Sequence, residues 1–391
     1  MSSPLANFDE LTLPSQQSTS NFGYPSSHPF PLALRTKQDW NPTLEEAISH
    51  LSSLSQSKSL FPLVHEHGGA VLLRGLPLST PDDYSRLAHA FGFSPHEEVG
   101  RPPIRTVLAP NVKTANEGPP ELPIWPHNEY GWSTHNPSWL TFCCLEVPET
   151  GGATPIINSI GLAHRLEQEA PDFFAKLLEK GVKYVYRYGR DQVESNTGAS
   201  VFAAYGQHIE NGDSEEVIKA KVEKEVRRHS ETWEWHGDGS LSVEHVVPST
   251  LLRTLPLSER HLTTGRTIWF GNLTSAYGRA RHHGATQPPY QGDDGSYHPP
   301  PIYGDGTVIA TEDLELALDI AEEMQVDLRW EKGDVVLLDN YAVMHSRRPW
   351  VGKRVVLAAL WDDVGEKRVG DFEEGNRIFE IRGHQTKPST P

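Results

Sequence analysis

Short apolar runs recur along the chain, and they predict many strands and a smaller number of helices. Runs bounded by turn residues are typical of buried strands, and they occur at residues 69–75, 139–147, 154–158, 182–188, 267–271, 334–339 and 355–361. Apolar residues repeat at helical spacing over residues 43–54, 79–91, 160–169, 211–228 and 311–324, and in a segment that begins at Pro171. Thr43 and Glu46 have the spacing of a capping box, which predicts where the first helix begins.

The order and length of these elements predict a fold that is mainly β with α decorations. Short strands, frequent turns and peripheral helices favour a double-stranded β-helix, or jelly roll, as the core. The regular strand–helix alternation of a doubly wound fold is absent from the sequence. The sequence contains neither a GxGxxG motif after a strand nor a Walker A motif, so it gives no sign of a nucleotide-binding fold.

We expect one large domain at residues 36–370, flanked by two simpler ends. Residues 1–35 are rich in Ser, Pro, Asn and Gln without sustained periodicity and predict a loose N-terminal arm, and residues 371–391 form a C-terminal tail. Two stretches of the domain are typical of insertions. One is a helical insertion at about residues 190–262, and the other is a Gly/Pro/His-rich loop at about residues 279–301.

Composition and charge exclude several classes of partner. The 391 residues include 35 Lys and Arg against 52 Asp and Glu, a net charge of −17, which repels a nucleic-acid backbone. No apolar stretch approaches the ~18 residues of a membrane span, and the N-terminus lacks the features of a secretory signal. The two cysteines, Cys143 and Cys144, are neighbours that would point to opposite faces of a strand, so we expect no disulfide between them and a cytoplasmic location.

One motif points to a metal site, and its context matters because the motif is common. His-x-Asp/Glu on a strand places two ligands on one face, where a single ion can bind both. Chance alone gives roughly two or three such motifs in a chain with this many His and acidic residues. The chain has five: His96/Glu98, His127/Glu129, His208/Glu210, His229/Glu231 and His236/Asp238.

Aromatic neighbours and a following apolar strand favour the pair His127/Glu129, which lies in LPIWPHNEYGWSTHNPSWL. The pair that begins at His229 ends a charged helix, where a basic residue suits the helix dipole. The pairs that begin at His208 and His236 lie in the polar insertion and are typical of a solvated surface. The pair that begins at His96 follows a Ser-Pro turn and stays an alternative.

A second element follows the strand at residues 334–339. His345 comes next, and Arg354 opens the strand at residues 355–361. By itself, His345 could equally be a satisfied core residue. A buried Arg needs an anion, and a dicarboxylic cosubstrate bound by a bidentate guanidinium is one such anion. Two His and one carboxylate on one face of an octahedron form the facial triad of non-haem Fe(II) oxygenases, which leaves positions open for other ligands.

Three sequence blocks together resemble the TauD/TfdA family of Fe(II)- and 2-oxoglutarate-dependent dioxygenases, in its clavaminate-synthase-like, fungal HxE branch. The blocks are PHNEYGWS at 126–133, PETGGATPIINS at 148–159 and GDVVLLDNYAVMHSRRPWVGKR at 333–354. The resemblance implies a jelly-roll catalytic domain in which His127, Glu129 and His345 are the catalytic iron ligands. It also implies that Arg354 and Thr154 bind the distal carboxylate of 2-oxoglutarate. The position of Thr154 agrees, because a hydroxyl just after a Gly-Gly turn can reach into a pocket without crowding it.

Two departures from the family pattern bear on the substrate. Glu129 stands where many members have Asp; halogenating relatives lack the carboxylate altogether, so its presence argues against halogenation. Taurine enzymes carry a second Arg four residues after the cosubstrate Arg, and this chain has Ala358 there, which argues against a sulfonate substrate.

Candidates for substrate contacts are less constrained by the sequence. They are Asn116, Glu117, Tyr130, Trp132, Arg105 and Arg348. The His/Arg cluster at residues 279–283 invites a second metal site, but the composition around it favours a flexible polar loop or lid.

The resemblance implies hydroxylation of a C–H bond in a small polar molecule, with O₂ and 2-oxoglutarate consumed and succinate and CO₂ released. Fungal relatives in secondary metabolism suggest an amino acid or a specialised-metabolite intermediate as substrate. Three alternatives stay open: cyclisation, desaturation or epoxidation at the same iron site; a cupin-like enzyme that uses iron without 2-oxoglutarate; and a jelly-roll binding protein without iron. The sequence leaves the oligomeric state open and allows a homo-oligomer.

Overall fold

A computed structural model of the chain describes residues 5–57, 59–100, 105–115, 118–191, 200–247, 251–253 and 267–363, with the backbone alone at 247 and 251–253. The helices of this part are α1 (Leu44–Gln56), α2 (Leu60–Glu66), α3 (Pro81–His89), α4 (Ser159–Glu169), α5 (Pro171–Lys180), α6 (Val201–Tyr205), α7 (Glu215–Val226), α8 (Leu273–His282) and α9 (Thr311–Glu323). The predicted capping box of Thr43 and Glu46 is confirmed at the start of α1.

The strands of the same part fall into one large and several small sheets. In chain order they are β1 (Phe8–Glu10), β2 (Gln17–Ser18), β3 (Pro29–Phe30), β4 (Leu32–Thr36), β5 (Ala70–Arg74), β6 (Ser94–Pro95), β7 (Val107–Ala109), β8 (Val112–Thr114), β9 (Ile124–His127), β10 (Trp139–Glu146), β11 (Thr150–Gly151), β12 (Thr154–Asn158), β13 (Val182–Tyr188), β14 (Thr232–Trp235), β15 (Leu241–Val247), β16 (Leu251–Arg253), β17 (Thr267–Trp269), β18 (Ile302–Tyr303), β19 (Val326–Leu328), β20 (Val335–Asp339), β21 (Val343–Arg347), β22 (Trp350–Val351) and β23 (Val355–Asp362).

The large sheet has β10 near its centre, in the strand order β1-β4-β5-β20-β10-β23-β8-β7, with β6 also paired to β23. Because neighbouring residues of a strand face opposite sides, the sheet has two apolar faces. Cys143 packs into the cluster under α1, α2 and α3, whereas Cys144 packs into the cluster on the other face. Both cysteines are buried and free, as their adjacency predicts.

A smaller sheet, in the order β19-β12-β21-β9, carries the residues of greatest chemical interest. Its apolar side chains Ile156 and Met344 share one core cluster with Phe142 and Leu338 of the large sheet. The two sheets are therefore joined by a common apolar layer, and β9 and β21 lie at the end of the smaller one.

The predicted class, mainly β with helices, is confirmed. The strands of the described residues form separate sheets and no closed barrel. The double-stranded β-helix core therefore stays a prediction.

The described part of the N-terminal segment differs from the loose arm expected for residues 1–35. β1 pairs antiparallel with β4, and β4 pairs parallel with β5 of the large sheet. Phe22 and Phe30 are fully buried and their rings meet edge to face, 5.4 Å apart. Isolated aromatic anchors between polar runs hold this segment, and such anchors leave no periodic pattern in the sequence.

The two expected insertions also differ from the helical insertion and the loop that the sequence predicts. Within residues 190–262, the described part contains α6 and α7 but also β14 and β15, and β15 pairs with β13 over seven residues. The alternation of LSVEHVV is a strand pattern. The expected loop at 279–301 begins inside α8, where Arg279 and Ala280 are buried. Among the described residues, no helix is both long and apolar enough to cross a membrane.

Candidate active site

Two histidines face each other across paired strands at the edge of the smaller sheet. His127 ends β9 and lies directly opposite His345 of β21, with ring centroids 4.3 Å apart. Each Nε2 atom approaches the same carboxylate oxygen, Glu129 Oε2, at 3.7 Å from His127 and 3.5 Å from His345. The ligand atoms of all three residues lie within 4.8 Å of one another. The structure therefore brings together the three residues predicted as iron ligands.

A buried amide holds the turn that carries Glu129. The side chain of Asn340, just after β20, donates to the Glu129 carbonyl at 2.9 Å and accepts from the Glu129 backbone N–H at 2.8 Å. Asn128 donates to the Asn340 carbonyl at 2.7 Å and accepts from the Gly271 N–H at 3.0 Å. At Gly131, an added Cβ would lie 2.7 Å from the Gly271 carbonyl carbon, so only glycine fits.

The imidazoles present their Nε2 atoms to the site. His127 Nδ1 lies 2.9 Å from the Trp125 carbonyl, so it carries the proton and leaves the Nε2 lone pair for a ligand. Burial, followed by the nearby His127, lowers the pKa of His345 to about 4, so that ring is neutral at pH 7.

Arg105 completes the surroundings of the carboxylate. Its Nη2 donates to Glu129 Oε1 at 2.6 Å, and its Nη1 lies 3.7 Å from Glu98, which also pairs with Lys113. Burial alone would raise the pKa of Glu129, but Arg105 and the two imidazoles outweigh it and hold that pKa well below its usual range. Arg105, which the sequence offers as a candidate for substrate contact, lines the cavity and directs its charge to Glu129 and Glu98.

The donor set fits a divalent iron ion. Two neutral imidazole nitrogens and Oε2 of Glu129 converge on one point, while Oε1 is occupied by Arg105, so the carboxylate offers a single oxygen. Such a set binds on one side of an ion and leaves the other side open to the cavity.

Thr154 and Arg354 meet at the wall of the same cavity. Arg354 Nη2 donates to Thr154 Oγ1 at 3.2 Å, and its Nε donates to the Gly152 carbonyl at 3.0 Å. Trp330 Nε1 donates to the same hydroxyl at 3.1 Å. Burial lowers the pKa of Arg354 to about 10, which leaves the guanidinium charged at pH 7, and no carboxylate of the described chain pairs with it.

Among the described residues, the cavity beside the triad is lined by the arginines Arg105, Arg279, Arg347 and Arg354 and by a single acidic residue, Glu129. Aromatic side chains form another part of its wall. These lining residues are Tyr130, Trp132, Phe142 and Tyr186. A positive interior in a chain with a net charge of −17 favours an anionic ligand.

The other predicted substrate residues divide into three groups. Tyr130 and Trp132 line the cavity. Asn116 and Glu117 lie outside the described residues. Arg348 is 45% exposed and lies 3.5 Å from Asp327. The prediction that it contacts substrate is therefore corrected: it is the neighbouring Arg347 that lies in the cavity wall. The Arg347 side chain is buried, whereas that of Arg348 is exposed.

The remaining His-x-acid pairs have other roles in the described structure. His96 Nδ1 lies 2.8 Å from Asp362, and its dyad partner Glu98 accepts from the Tyr130 hydroxyl at 3.1 Å. His229, which the sequence places at the end of a charged helix, has both ring nitrogens buried, and its ring centroid lies 5.6 Å from that of Trp132. Of the five pairs, only His127/Glu129 belongs to a group of three potential ligands among the described residues.

Two functional positions were missed because their roles depend on long-range contacts. Asn340 reaches Glu129 from 211 residues away. Arg279 enters the cavity because α8 packs on β9, where the Thr274 hydroxyl donates to the Pro126 carbonyl at 2.6 Å. The only local sequence feature that points to Asn340 is its position directly after an apolar strand, and this feature does not indicate that its partner is Glu129.

Known proteins resemble the chain over most of its length. Residues 38–361 match the family described as Taurine catabolism dioxygenase TauD, TfdA family. A clavaminate synthase-like protein of Arabidopsis thaliana is 32% identical over 310 residues, which are 78% of this chain and 85% of that protein. The dapdiamide synthesis protein DdaC of Enterobacter agglomerans is 23% identical over 297 residues, which are 76% of this chain and 83% of that protein. The crystal structure of a taurine dioxygenase from Burkholderia xenovorans is similar with a TM-score of 0.44 at 15% identity, over 90% of each chain. The chain therefore belongs to the TauD/TfdA family of dioxygenases.

Proposed function

We propose that this protein is an Fe(II)- and 2-oxoglutarate-dependent dioxygenase that hydroxylates a C–H bond of a small anionic molecule. The observation that carries the proposal is the convergence of His127, Glu129 and His345 beside a cavity whose wall holds Arg354 and Thr154. Iron, when bound to the triad, supplies the activation of O₂ that oxidises the substrate, with succinate and CO₂ released from 2-oxoglutarate.

The residues around Thr154 explain how the cosubstrate would be held. A hydroxyl has two acceptor sites and one donor, and Arg354 and Trp330 occupy both acceptor sites. The Thr154 O–H is therefore left to donate into the cavity. No acidic residue in the described part of the chain pairs with Arg354, so a carboxylate of 2-oxoglutarate would supply the anion that a buried guanidinium requires. The two contacts would bind one end of the cosubstrate while its 2-oxo acid end reaches the iron.

Arg279 supports the assignment of an anionic substrate. It is 9% exposed, lines the cavity and has a buried Nε without a hydrogen-bond partner. No carboxylate of the described chain pairs with it, in contrast to Arg105, which bonds Glu129. We infer that a carboxylate on the substrate, as in an amino acid or an acidic specialised-metabolite intermediate, binds Arg279. The carboxylate of Glu129 argues against halogenation as the reaction, because halogenating relatives lack it.

The proposal also extends to the fold of the core, the cellular compartment and the class of partner. The two sheets that share an apolar core would be the halves of a double-stranded β-helix. The buried, free cysteines Cys143 and Cys144 favour a reducing compartment such as the cytoplasm. The partner is a small molecule rather than a nucleic acid, because the net charge is strongly negative.

An anaerobic titration of the full chain tests the function without knowledge of the substrate. Fe(II) is added first and 2-oxoglutarate second, and the visible spectrum is recorded. We expect a weak charge-transfer band that requires both additions, disappears in His345→Ala and persists in His208→Ala, a control at a histidine whose side chain is 61% exposed.

Two other outcomes of this titration would favour other functions. Iron binding without a band points to an enzyme that uses iron alone, and folded protein that binds no iron points to a binding protein. If the band forms, succinate release from a panel of anionic compounds finds the substrate. The product mass then separates hydroxylation, which adds one oxygen, from desaturation or cyclisation, which removes two hydrogens.

A further inference from the structure

A second group of ligand-type side chains lies where the end of α8 meets the following loop. His283, Asp294 and His298 place their ligand atoms within 4.8 Å of one another. His298 Nε2 lies 2.9 and 3.0 Å from the two carboxylate oxygens of Asp294, and His283 Nε2 lies 3.9 Å from Asp294 Oδ2. Two imidazoles and a carboxylate therefore meet at a point that the proposed reaction does not use.

The cluster is buried, and one of its nitrogens lacks a partner. The side chains of His283, His298 and Asp294 are 4%, 2% and 10% exposed. His283 Nε2 is buried and makes no hydrogen bond with any residue that the structure describes. A buried polar atom without a partner costs free energy, so a ligand at this point would remove that cost.

A neighbouring carboxylate fixes the orientation of His283. Its Nδ1 lies 2.6 Å from Asp293 Oδ1, so Nδ1 carries the proton and donates it, and the Nε2 lone pair faces the cluster. The Asp293 side chain is 78% exposed, whereas the ring that it orients is buried. A carboxylate behind the distal nitrogen is the usual support of a histidine that binds a metal.

A tight hairpin places the other two side chains. The Gly292 N–H donates to the Ser296 carbonyl at 2.8 Å, and the Ser296 N–H donates to Asp294 Oδ1 at 3.0 Å. An added Cβ on Gly292 would lie 2.8 Å from both His283 Cβ and His298 Cδ2. The loop is therefore closely packed around the cluster, unlike the flexible lid that its composition predicts.

We propose that His283, Asp294 and His298 bind a divalent transition-metal ion, for which zinc is the best match. Zinc accepts imidazole nitrogen and carboxylate oxygen, and three protein ligands leave the fourth tetrahedral position to water. The two rings stack with their planes 18° apart and centroids separated by 4.7 Å, so binding requires each ring to turn until its plane contains the ion. The ion would tie the hairpin to α8, the helix that carries Ser275 and Arg279 into the cavity.

Zinc content tests the proposal in a full-length background that lacks both active-site histidines, His127→Ala with His345→Ala. After equilibration with Zn²⁺ and removal of the excess, this protein should retain one zinc ion per chain by elemental analysis. Asp294→Asn keeps the shape of the side chain but removes its charge, and it should weaken zinc binding by at least about tenfold. The control His282→Ala removes an exposed histidine of the same helix and should leave zinc binding unchanged.

Cobalt(II) gives a second readout, because a tetrahedral site absorbs visible light far more strongly than a six-coordinate one. We expect intense bands in the background protein and their loss with Asp294→Asn. Circular dichroism of each variant separates loss of the site from loss of the fold, and His298→Gln replaces Asp294→Asn if the latter does not fold. The proposal is overturned if the background protein retains no zinc, or if Asp294→Asn releases it no faster than His282→Ala does.

Discussion

His127 and His345 are separated by 217 intervening residues, yet they form a directly opposed pair on two antiparallel strands. The backbone ladder between β9 and β21 therefore sets the spacing of two of the three proposed iron ligands before any ion binds. The third ligand, Glu129, lies in a turn outside that ladder and needs its own support, which Asn340 provides through two hydrogen bonds.

Replacing Asn340 should weaken iron binding although Asn340 is not itself a ligand. In Asn340→Ala the turn loses both bonds to Glu129, so Fe(II) affinity in an anaerobic titration should fall by about 10- to 100-fold. Asn136→Ala is a matched control, because Asn136 is also fully buried but donates to the Ser133 carbonyl instead. Equal iron affinity in the two variants, at equal fold by circular dichroism, would contradict the positioning role.

The Thr154 hydroxyl should contribute to the binding of 2-oxoglutarate, and two substitutions test this. Thr154→Val removes the O–H that would donate to 2-oxoglutarate and the acceptor that orients Arg354, so the Kd of 2-oxoglutarate should rise by about 10- to 100-fold. Thr154→Ser keeps the hydroxyl and should stay within about threefold of the original value. The charge-transfer band measures both constants, and a Val variant that binds as tightly as the Ser variant would rule out the hydroxyl contact.

The sequence could predict the parts of the site that depend on local spacing. His127 and Glu129 are separated by a single residue near the end of a strand, and the apolar runs around them locate that strand. Local spacing could not separate Arg347 from Arg348, because the register of β21 with β9 shifts between His345 and Arg347, and Ser346 also lines the cavity.

Other features could not be predicted because they come from contacts between distant segments. The N-terminal strands are held by buried aromatic residues such as Phe22 and Phe30, which stand alone among polar neighbours in the sequence. Arg279 lies in a segment whose Gly, Pro and His content predicts a loop, and only the packing of α8 on β9 brings it into the cavity. Tertiary packing overrides local composition in both cases.

Arg279 should control substrate recognition without affecting the cosubstrate. In Arg279→Gln the cavity loses a buried cation that no acidic residue of the described ranges pairs with, so the KM of an anionic substrate should rise by about tenfold or more. The Kd of 2-oxoglutarate should stay unchanged, because Arg354 is intact. Arg281→Gln is the control on the same helix, where the guanidinium is exposed and lies over the Tyr277 ring. Coupled succinate release measures KM, and a rise in the Kd of 2-oxoglutarate with no change in KM would contradict the assignment.

The buried histidines behind Trp132 should make the protein lose stability in mild acid. The ring centroids of His229 and His245 lie 4.7 Å apart with their planes tilted by 56°, and none of their ring nitrogens has a hydrogen-bond partner among the described residues. Burial, followed by the charge of Arg228, lowers the pKa of His229 from 6.5 to about 4. Protonation therefore favours the unfolded chain, so the effect is absent above the ordinary pKa and grows as the pH falls from 6.5 towards 4.

By this linkage His229 alone should reduce the free energy of unfolding by about 2 kcal/mol at a pH of about 5 relative to pH 7. Urea unfolding of His229→Gln across this range should show a shallower loss than the unmodified chain, since glutamine does not titrate. His208→Gln, at an exposed histidine, should leave the pH dependence as it is. If His229→Gln and the unmodified chain lose stability in parallel, this ring is already protonated or solvated in the folded protein, and the acid sensitivity has another source.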